Sequence, residues 1–183
     1  LWQIETVQRQ SNGFKDIDRG GDSGFDIEDY VVKLGWKNDR QKVLLKYQDS
    51  DETSDETYLG LTDSDFDADE NRRYGLSKID EMKNDHQGWN ATYSFIWSDA
   101  VTSTITYYKN EFARDWFKFT GNNFIDLANG GDVNAQAVLD GTADAAGLQY
   151  KHNNRAYQSE GVQLNVDIVL GNHTVAIGMR YHE

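Results

Sequence analysis

The chain has 183 residues, with 31 Asp and Glu against 18 Lys and Arg, a formal net charge of −13 and no Cys. So acidic a chain offers no basic surface to a phosphate backbone, which excludes nucleic acid as a partner. Without Cys it holds no disulfide, thiolate metal site or cysteine nucleophile, and no run of about 18 apolar residues reads as a membrane helix.

Alternation with period two dominates the chain from its start, the signature of strands with two unlike faces. "LWQIETVQRQ" reads as the first strand. "YVVKLGW" then places Tyr30, Val32, Leu34 and Trp36 on one face. After a tight "KNDR", "KVLLKYQ" does the same with Val43, Leu45 and Tyr47. The next stretch, 49–70, holds ten carboxylates and no Lys or Arg. Tyr58, Leu59, Leu61 and Phe66 sit among them and are expected to form a small core that folds a long loop on itself. Thr62, three residues before Asp65, predicts the capped start of one or two helical turns.

"WNATYSFIW" is the clearest strand. Trp89, Ala91, Tyr93, Phe95 and Trp97 share a face, and Asn90, Thr92, Ser94 and Ile96 the other. The short "SDA" joins it to "VTSTITYY" as a hairpin. Asp132 before an Ala-rich run, with Gly141 after it, predicts a short capped helix. "GVQLNVDIVL", "GN" and "HTVAIGMRYH" close the series with a last hairpin.

Seven strands of about ten residues result, the length that crosses a bilayer at a tilt. Tight turns alternate with long connections at about 11–29, 50–85 and 112–154. Connections beyond about 15 residues are usually functional, and short turns on one side with long loops on the other is the plan of outer-membrane barrels. A soluble antiparallel sandwich shows the same alternation. Two features favour the barrel. The polar faces are rich in Asn, Gln, Thr, Ser, Asp and Arg. Trp2, Tyr30, Trp36, Tyr47, Trp89, Trp97, Tyr107 and Tyr181 cluster near strand ends, as interfacial girdles do. The expected fold is therefore all-β, an antiparallel up-and-down transmembrane β-barrel segment, with Trp89, Tyr93, Phe95 and Trp97 facing lipid. The alternative is a soluble all-β binding module whose acidic loops hold Ca²⁺ or a carbohydrate.

"DETYLGLTDSDFDADENRRYGLSKIDEM", residues 55–82, resembles a loop region of TonB-dependent outer-membrane receptors of the ferric citrate type, with their "ETYLGLT-x-x-DF", "RRY" and "S-x-x-D-x-M" pattern. "SNGFKDID", "YYKNEFARDWFKF", "NNRAYQSEGVQ" and "GNHTVAIGMRYHE" are similar to further stretches of that family, in the same order. One departure is the acidic Asp69-Glu70, where members often carry Asn-Pro. The resemblance implies that residues 1–183 belong to one receptor β-barrel domain, about a third of a 22-stranded barrel, with the plug domain and the remaining strands outside this chain. It implies an outer-membrane location and TonB-dependent uptake of ferric citrate or another ferric siderophore. It also implies contacts with outer-membrane lipid and lipopolysaccharide, and with TonB through the plug. Loop arginines bind the chelate in such receptors. The candidates here are Arg72, Arg73 and Arg155 in the matching motifs, with Arg114 in the matching strand. The competing reading pairs them with Asp69, Glu70 or Asp80 to shape the loops.

Other constellations are weaker. "DSDETSDETYLG" and "DSDFDADENRRY" have Asp at positions 1 and 3 of a calcium loop but lack its Gly and terminal Glu. His86 and His152 are expected at loop–strand junctions, where a haem ligand would need exposure. Ser94 or Ser98 near a His has no nucleophile motif around it. The chain is expected to be no enzyme and to hold no resident cofactor or metal.

Overall fold

The computed structural model describes residues 1–120 and 123–183. Among these residues ten strands are present: β1 (Trp2–Ser11), β2 (Asp16–Ile17), β3 (Phe25–Lys37), β4 (Gln41–Ser54), β5 (Arg72–Arg73), β6 (Glu81–Ser98), β7 (Val101–Phe119), β8 (Tyr150–His152), β9 (Arg155–Leu170) and β10 (His173–His182). Among the described residues, three short α-helices join them, α1 (Asp63–Ala68), α2 (Asn123–Asn129) and α3 (Val133–Leu139), with one 3₁₀ turn at Gly75–Ser77. The seven long strands form one antiparallel meander in the order β1-β3-β4-β6-β7-β9-β10, and β8 adds to the end of β7. These are the seven strands expected from the alternation. They are longer than expected, up to 19 residues in β7. The long connections shrink accordingly to 12–24, 55–80 and 120–154. Period-two alternation fades at 49–54, where both faces become polar, and at 109–119, where charged and aromatic residues occur on both faces, while the backbone ladder continues.

Register makes the faces continuous. Trp2 opposes Leu34, Leu34 opposes Leu45, Leu45 opposes Ala91, and Ala91 opposes Tyr107. Tyr107 opposes Val162, which opposes Tyr181. One apolar face thus spans all seven strands, and a slip of one residue anywhere would break it. Aromatic side chains bound it. Tyr47 and Trp89 lie ring to ring toward the long-loop end, and Phe95 packs edge-on against Trp97 at the tight-turn end. Trp89 (55% exposed), Tyr93 (39%) and Trp97 (62%) lie open on this face.

The opposite face is mostly polar, with Val31, Leu44 and Ile96 among its polar side chains. Thr92 shares a hydroxyl contact with Thr106, and Ser94 with Thr104. Tyr108 lies across Gly161, where a Cβ would meet the phenol oxygen at 2.4 Å, so only glycine fits beneath the ring. The phenol oxygen accepts a bond from Arg180 Nε and shares one with His182 Nδ1, both at 2.8 Å. His182 thus lies on the polar face.

The hydrophobic core is not between layers of the sheet but in a cap at the long-loop end. Leu59, Tyr74, Leu76, Phe119, Val138 and Leu139 are buried together. Leu61, Phe124, Ile125, Ala128, Leu148 and Tyr150 pack around them. Each large side chain buried here contributes about 2 kcal/mol, which holds two long connections together as one body.

Candidate functional site

The cap begins with local capping. The Thr62 hydroxyl accepts the Asp65 N–H at 3.3 Å and starts α1 as the spacing predicts. Asp132 accepts from the Asn134 and Ala135 N–H groups to start α3. Gly141, at φ +70°, follows its end, in the left-handed conformation that glycine adopts without strain. Helix α2 was not expected from the sequence. Its signal is Phe124 and Ala128, four residues apart and packed on the cap core.

Tertiary bonds then join the connections. Arg72 forks onto Asp18 (2.9 and 3.0 Å), and also reaches Asp65 at 2.7 Å and Asp140 at 2.8 Å. Those carboxylates come from the first, second and third long connections, so one guanidinium ties all three. The bond to Asp18, then the charges of Asp18, Asp65 and Asp140, outweigh burial and hold the guanidinium above its ordinary pKa. Burial pushes the Asp65 carboxyl up. Hydrogen bonds from Tyr74, Thr62 and Gln136, with the charge of Arg72, outweigh that and leave its pKa lowered. β2 and β5 lie beside this cage as a short parallel bridge, and the Arg19 guanidinium donates to the Gly141 carbonyl.

Under the cap, Asp80 is buried (2% exposed). It accepts the Tyr58 N–H at 3.0 Å and the Phe119 N–H at 2.9 Å. Burial raises its pKa against those bonds and the charge of Lys118. The Lys118 ammonium is sandwiched between rings, 3.3 Å from the Tyr58 centroid and 3.8 Å from that of Trp116. That cation–π contact is strongest where water is excluded.

Below the cap, the polar face presents a row of side chains across four strands: Glu52, Asn84, Arg114 and Arg155, each opposite the next. Asn84 donates to Glu52 at 2.9 Å. Arg114 has no ion pair among the described residues, and its Nε is buried without a partner. The Arg155 guanidinium donates to Asn153 Oδ1 at 3.2 Å and to the Tyr157 hydroxyl at 3.3 Å. The next row holds Ser50, His86, Phe112 and Tyr157, with Phe112 packed between His86 and Tyr157.

The arginines named from sequence therefore fall into two groups. Arg72 is spent on the cage, with Asp18, Asp65 and Asp140 in place of the Asp69, Glu70 or Asp80 that proximity in sequence points to. Arg73 donates to the carbonyls of Glu70 and Arg72 itself. Arg114 and Arg155 stand side by side on the polar face with donors to spare. Of the expected loop core, Leu59 is buried, Leu61 packs beside it, and Tyr58 meets Trp116 edge-on at 5.4 Å. Phe66 does not join them. It is 57% exposed, because the short α1 turns only one side to the cap and Asp65 occupies that side. His86 lies within β6 rather than at a junction, whereas His152 ends the three-residue β8, at a junction as expected, and bonds Asp115 at 2.8 Å. The Arg72 cage and the Tyr108–Arg180–His182 cluster were invisible to sequence reading, since both join residues more than fifty positions apart.

No family model matches the chain, and no curated protein does. Among solved structures, the ferric citrate transporter FecA in its unliganded form superposes over 99% of this chain and 23% of its own length, with TM-score 0.66 and 15% identity. The ferric-catecholate import receptor Fiu of E. coli K12, in an open form, covers 99% of this chain and 29% of its own, with TM-score 0.64 and 8% identity. At such identities the likeness is one of fold. The chain is an all-β, antiparallel, up-and-down β-barrel segment spanning about a quarter of the length of these neighbours.

Proposed function

We propose that this chain forms part of the wall and outer loops of an outer-membrane receptor that imports a ferric siderophore, with TonB supplying the energy through a part of the receptor outside these residues. One observation carries the reading. A single apolar face, bounded by aromatic rows, backs onto a polar face, and the long connections fuse into a cap at one end. That arrangement suits lipid on one side, a wet lumen on the other and a ligand-capturing surface above. Trp89, Tyr93, Phe95 and Trp97 face lipid. Asp49, Asp51 and Asp85 lie above them on the same side, at the level of lipopolysaccharide and its divalent cations. The names of the two solved neighbours support a ferric chelate as cargo, and the motif at 55–82 favours ferric citrate or another carboxylate siderophore.

In this reading the cap is a preassembled lip. Arg114 and Arg155, facing the lumen beneath it, receive the anionic chelate, because guanidinium groups bind carboxylates in a fork with charge-assisted bonds. Arg72 positions the lip. The test is chelate binding by the complete receptor carrying Arg114→Gln and Arg155→Gln together. Loss of two charged donors should raise the Kd for the cognate ferric carboxylate by at least about tenfold. Unchanged affinity in a correctly folded double variant would remove these residues from the site.

A further inference from the structure

We propose that Asn84 is a positioning residue for the chelate site: held by Glu52, it turns its amide oxygen toward Arg114 and fixes that guanidinium by accepting its Nε–H. The inference rests on the reading that Arg114 and Arg155 receive the chelate, and it adds the two side chains that aim one of them.

Register sets the relay. Glu52, Asn84, Arg114 and Arg155 are successive cross-strand partners on β4, β6, β7 and β9, so neighbouring side chains start about 5 Å apart on one face. Asn84 Nδ2 donates to Glu52 Oε2 at 2.9 Å. A carboxylate only accepts, so Glu52 dictates which end of the amide faces it. The NH₂ group is engaged toward β4. The carbonyl oxygen is left for the β7 side, where the directly opposed residue is Arg114.

Two orphaned atoms meet at that step. Asn84 Oδ1 and Arg114 Nε are both buried, and neither has a hydrogen-bond partner among the described residues. One is an acceptor and the other a donor, on residues directly opposite each other. This chain's own residues enclose both atoms, so no group from elsewhere in a receptor reaches them. Buried polar groups are rarely left unpaired. A modest rotation about the Arg114 side-chain bonds closes the pair, and ligand-free sites often hold such bonds longer than their bound forms do. With Nε–H engaged by Asn84, the guanidinium offers Nη1 and Nη2, the end-on fork, to a carboxylate.

Charge makes Glu52 the informative member. It has no ion pair among the described residues. It stands two strands from Arg114, about 10 Å away at the spacing of strands in a sheet. From there its negative charge opposes an anionic chelate. By electrostatics alone the site binds better without Glu52. As the group that orients Asn84, Glu52 is needed for binding. The two roles have opposite signs, and one substitution separates them.

The experiment titrates ferric citrate into the complete receptor containing this chain, in detergent, by calorimetry. Asn84→Ala should raise the Kd about tenfold, the loss of one hydrogen bond to a charged group. Glu52→Gln should raise it several-fold although it removes a negative charge, because a Gln amide both donates and accepts and no longer dictates how Asn84 lies. In an Arg114→Gln background neither change should weaken binding further, since both act through that guanidinium. Equal thermal unfolding of all variants checks their folding. Unchanged or tighter binding by Glu52→Gln overturns the proposal, as do losses that persist undiminished in the Arg114→Gln background. A second readout needs no chelate. Phenylglyoxal modifies guanidinium groups, and mass spectrometry of the free receptor follows Arg114 and Arg155 separately. Arg114 should react several-fold faster in Asn84→Ala and in Glu52→Gln, with Arg155 unchanged. A receptor that binds no ferric citrate, or binds it equally well without both arginines, sinks the proposed function. The selective rise at Arg114 would still establish the positioning role, and an unchanged Arg114 rate would overturn it.

Discussion

Arg72 shows how much structural work one residue does in this protein. It answers three carboxylates from three connections and is only a quarter exposed. Arg72→Met keeps the aliphatic stem but strands Asp18, Asp65 and Asp140 against one another, and removing one partner of a shielded ionic cluster is costly. The cap should loosen by about 2 kcal/mol or more. Limited proteolysis should then cut within 55–80 and 120–154, while the strands stay protected. Cleavage unchanged from wild type would mean that the hydrophobic core alone holds the loops. The same cage sets a pH response. The folded-state pKa of Asp65 is lowered, so its contribution to stability is complete above the ordinary carboxylate value of about 3.9 and is lost as pH falls through the lowered one. Asp80 has the opposite sign. Its pKa is raised by burial, so its contribution is complete below the ordinary value and declines as pH rises through the raised one. Hydrogen exchange of the cap amides, followed from pH 6 to pH 2, should therefore show the 55–80 connection tightening as pH falls through the raised pKa of Asp80 and opening below about 3.9 as the Asp65 contribution is lost. Arg72→Met should flatten that acid limb, and an undiminished limb in the variant would assign it to other groups.

Among the elements, the short helices depend on their caps because each is too brief to be stable alone. Asp132→Ala removes the acceptor for two N–H groups at the start of α3, and about 1 kcal/mol should be lost. Because Val138 and Leu139 of that helix lie in the cap core, the loss should appear as faster amide exchange across α2 and α3 together. Exchange confined to residues 132–135 would show instead that α3 docks independently of its cap. The strands, their order, the tight turns, and the starts of α1 and α3 were all legible in the sequence, because each rests on local chemistry: alternation, a capping side chain, a glycine. What was hidden depends on contacts across the chain. Arg72 sits beside Asp69 and Glu70 in sequence, yet it bonds Asp18 and Asp140, which only the folded cap brings near. Phe66 reads as core by its apolarity, but a helix of six residues has one inner side, and the bond from Tyr74 puts Asp65 on it. Arg114 and Arg155 lie in separate motifs and become neighbours only through the β7–β9 register.

For the whole molecule, the central assignment is that two faces of one sheet meet two solvents, and matched substitutions test it. Leu45 lies on the apolar face between Leu34 and Ala91. Thr106 lies at nearly the same height on the polar face, between Thr92 and Gln163. In a soluble module of two packed layers, an arginine on an outward-facing polar strand position is harmless, and one in the apolar face is buried in protein. In a membrane wall the apolar face meets hydrocarbon, where an arginine near the midplane costs about 2–4 kcal/mol, and the polar face meets water. Leu45→Arg in the complete receptor should therefore lower the unfolding free energy in lipid bilayers by that amount, whereas Thr106→Arg should leave it unchanged. The decisive comparison is made at several depths. Moving the arginine along the apolar face from Leu45 toward Tyr47 and Asp49 should shrink the penalty toward zero as the side chain reaches the aromatic row and then water. A protein core gives no such gradient, because its cost follows packing at each position rather than height. A flat profile along β4 would therefore reject the lipid-facing assignment even if Leu45→Arg alone proved damaging.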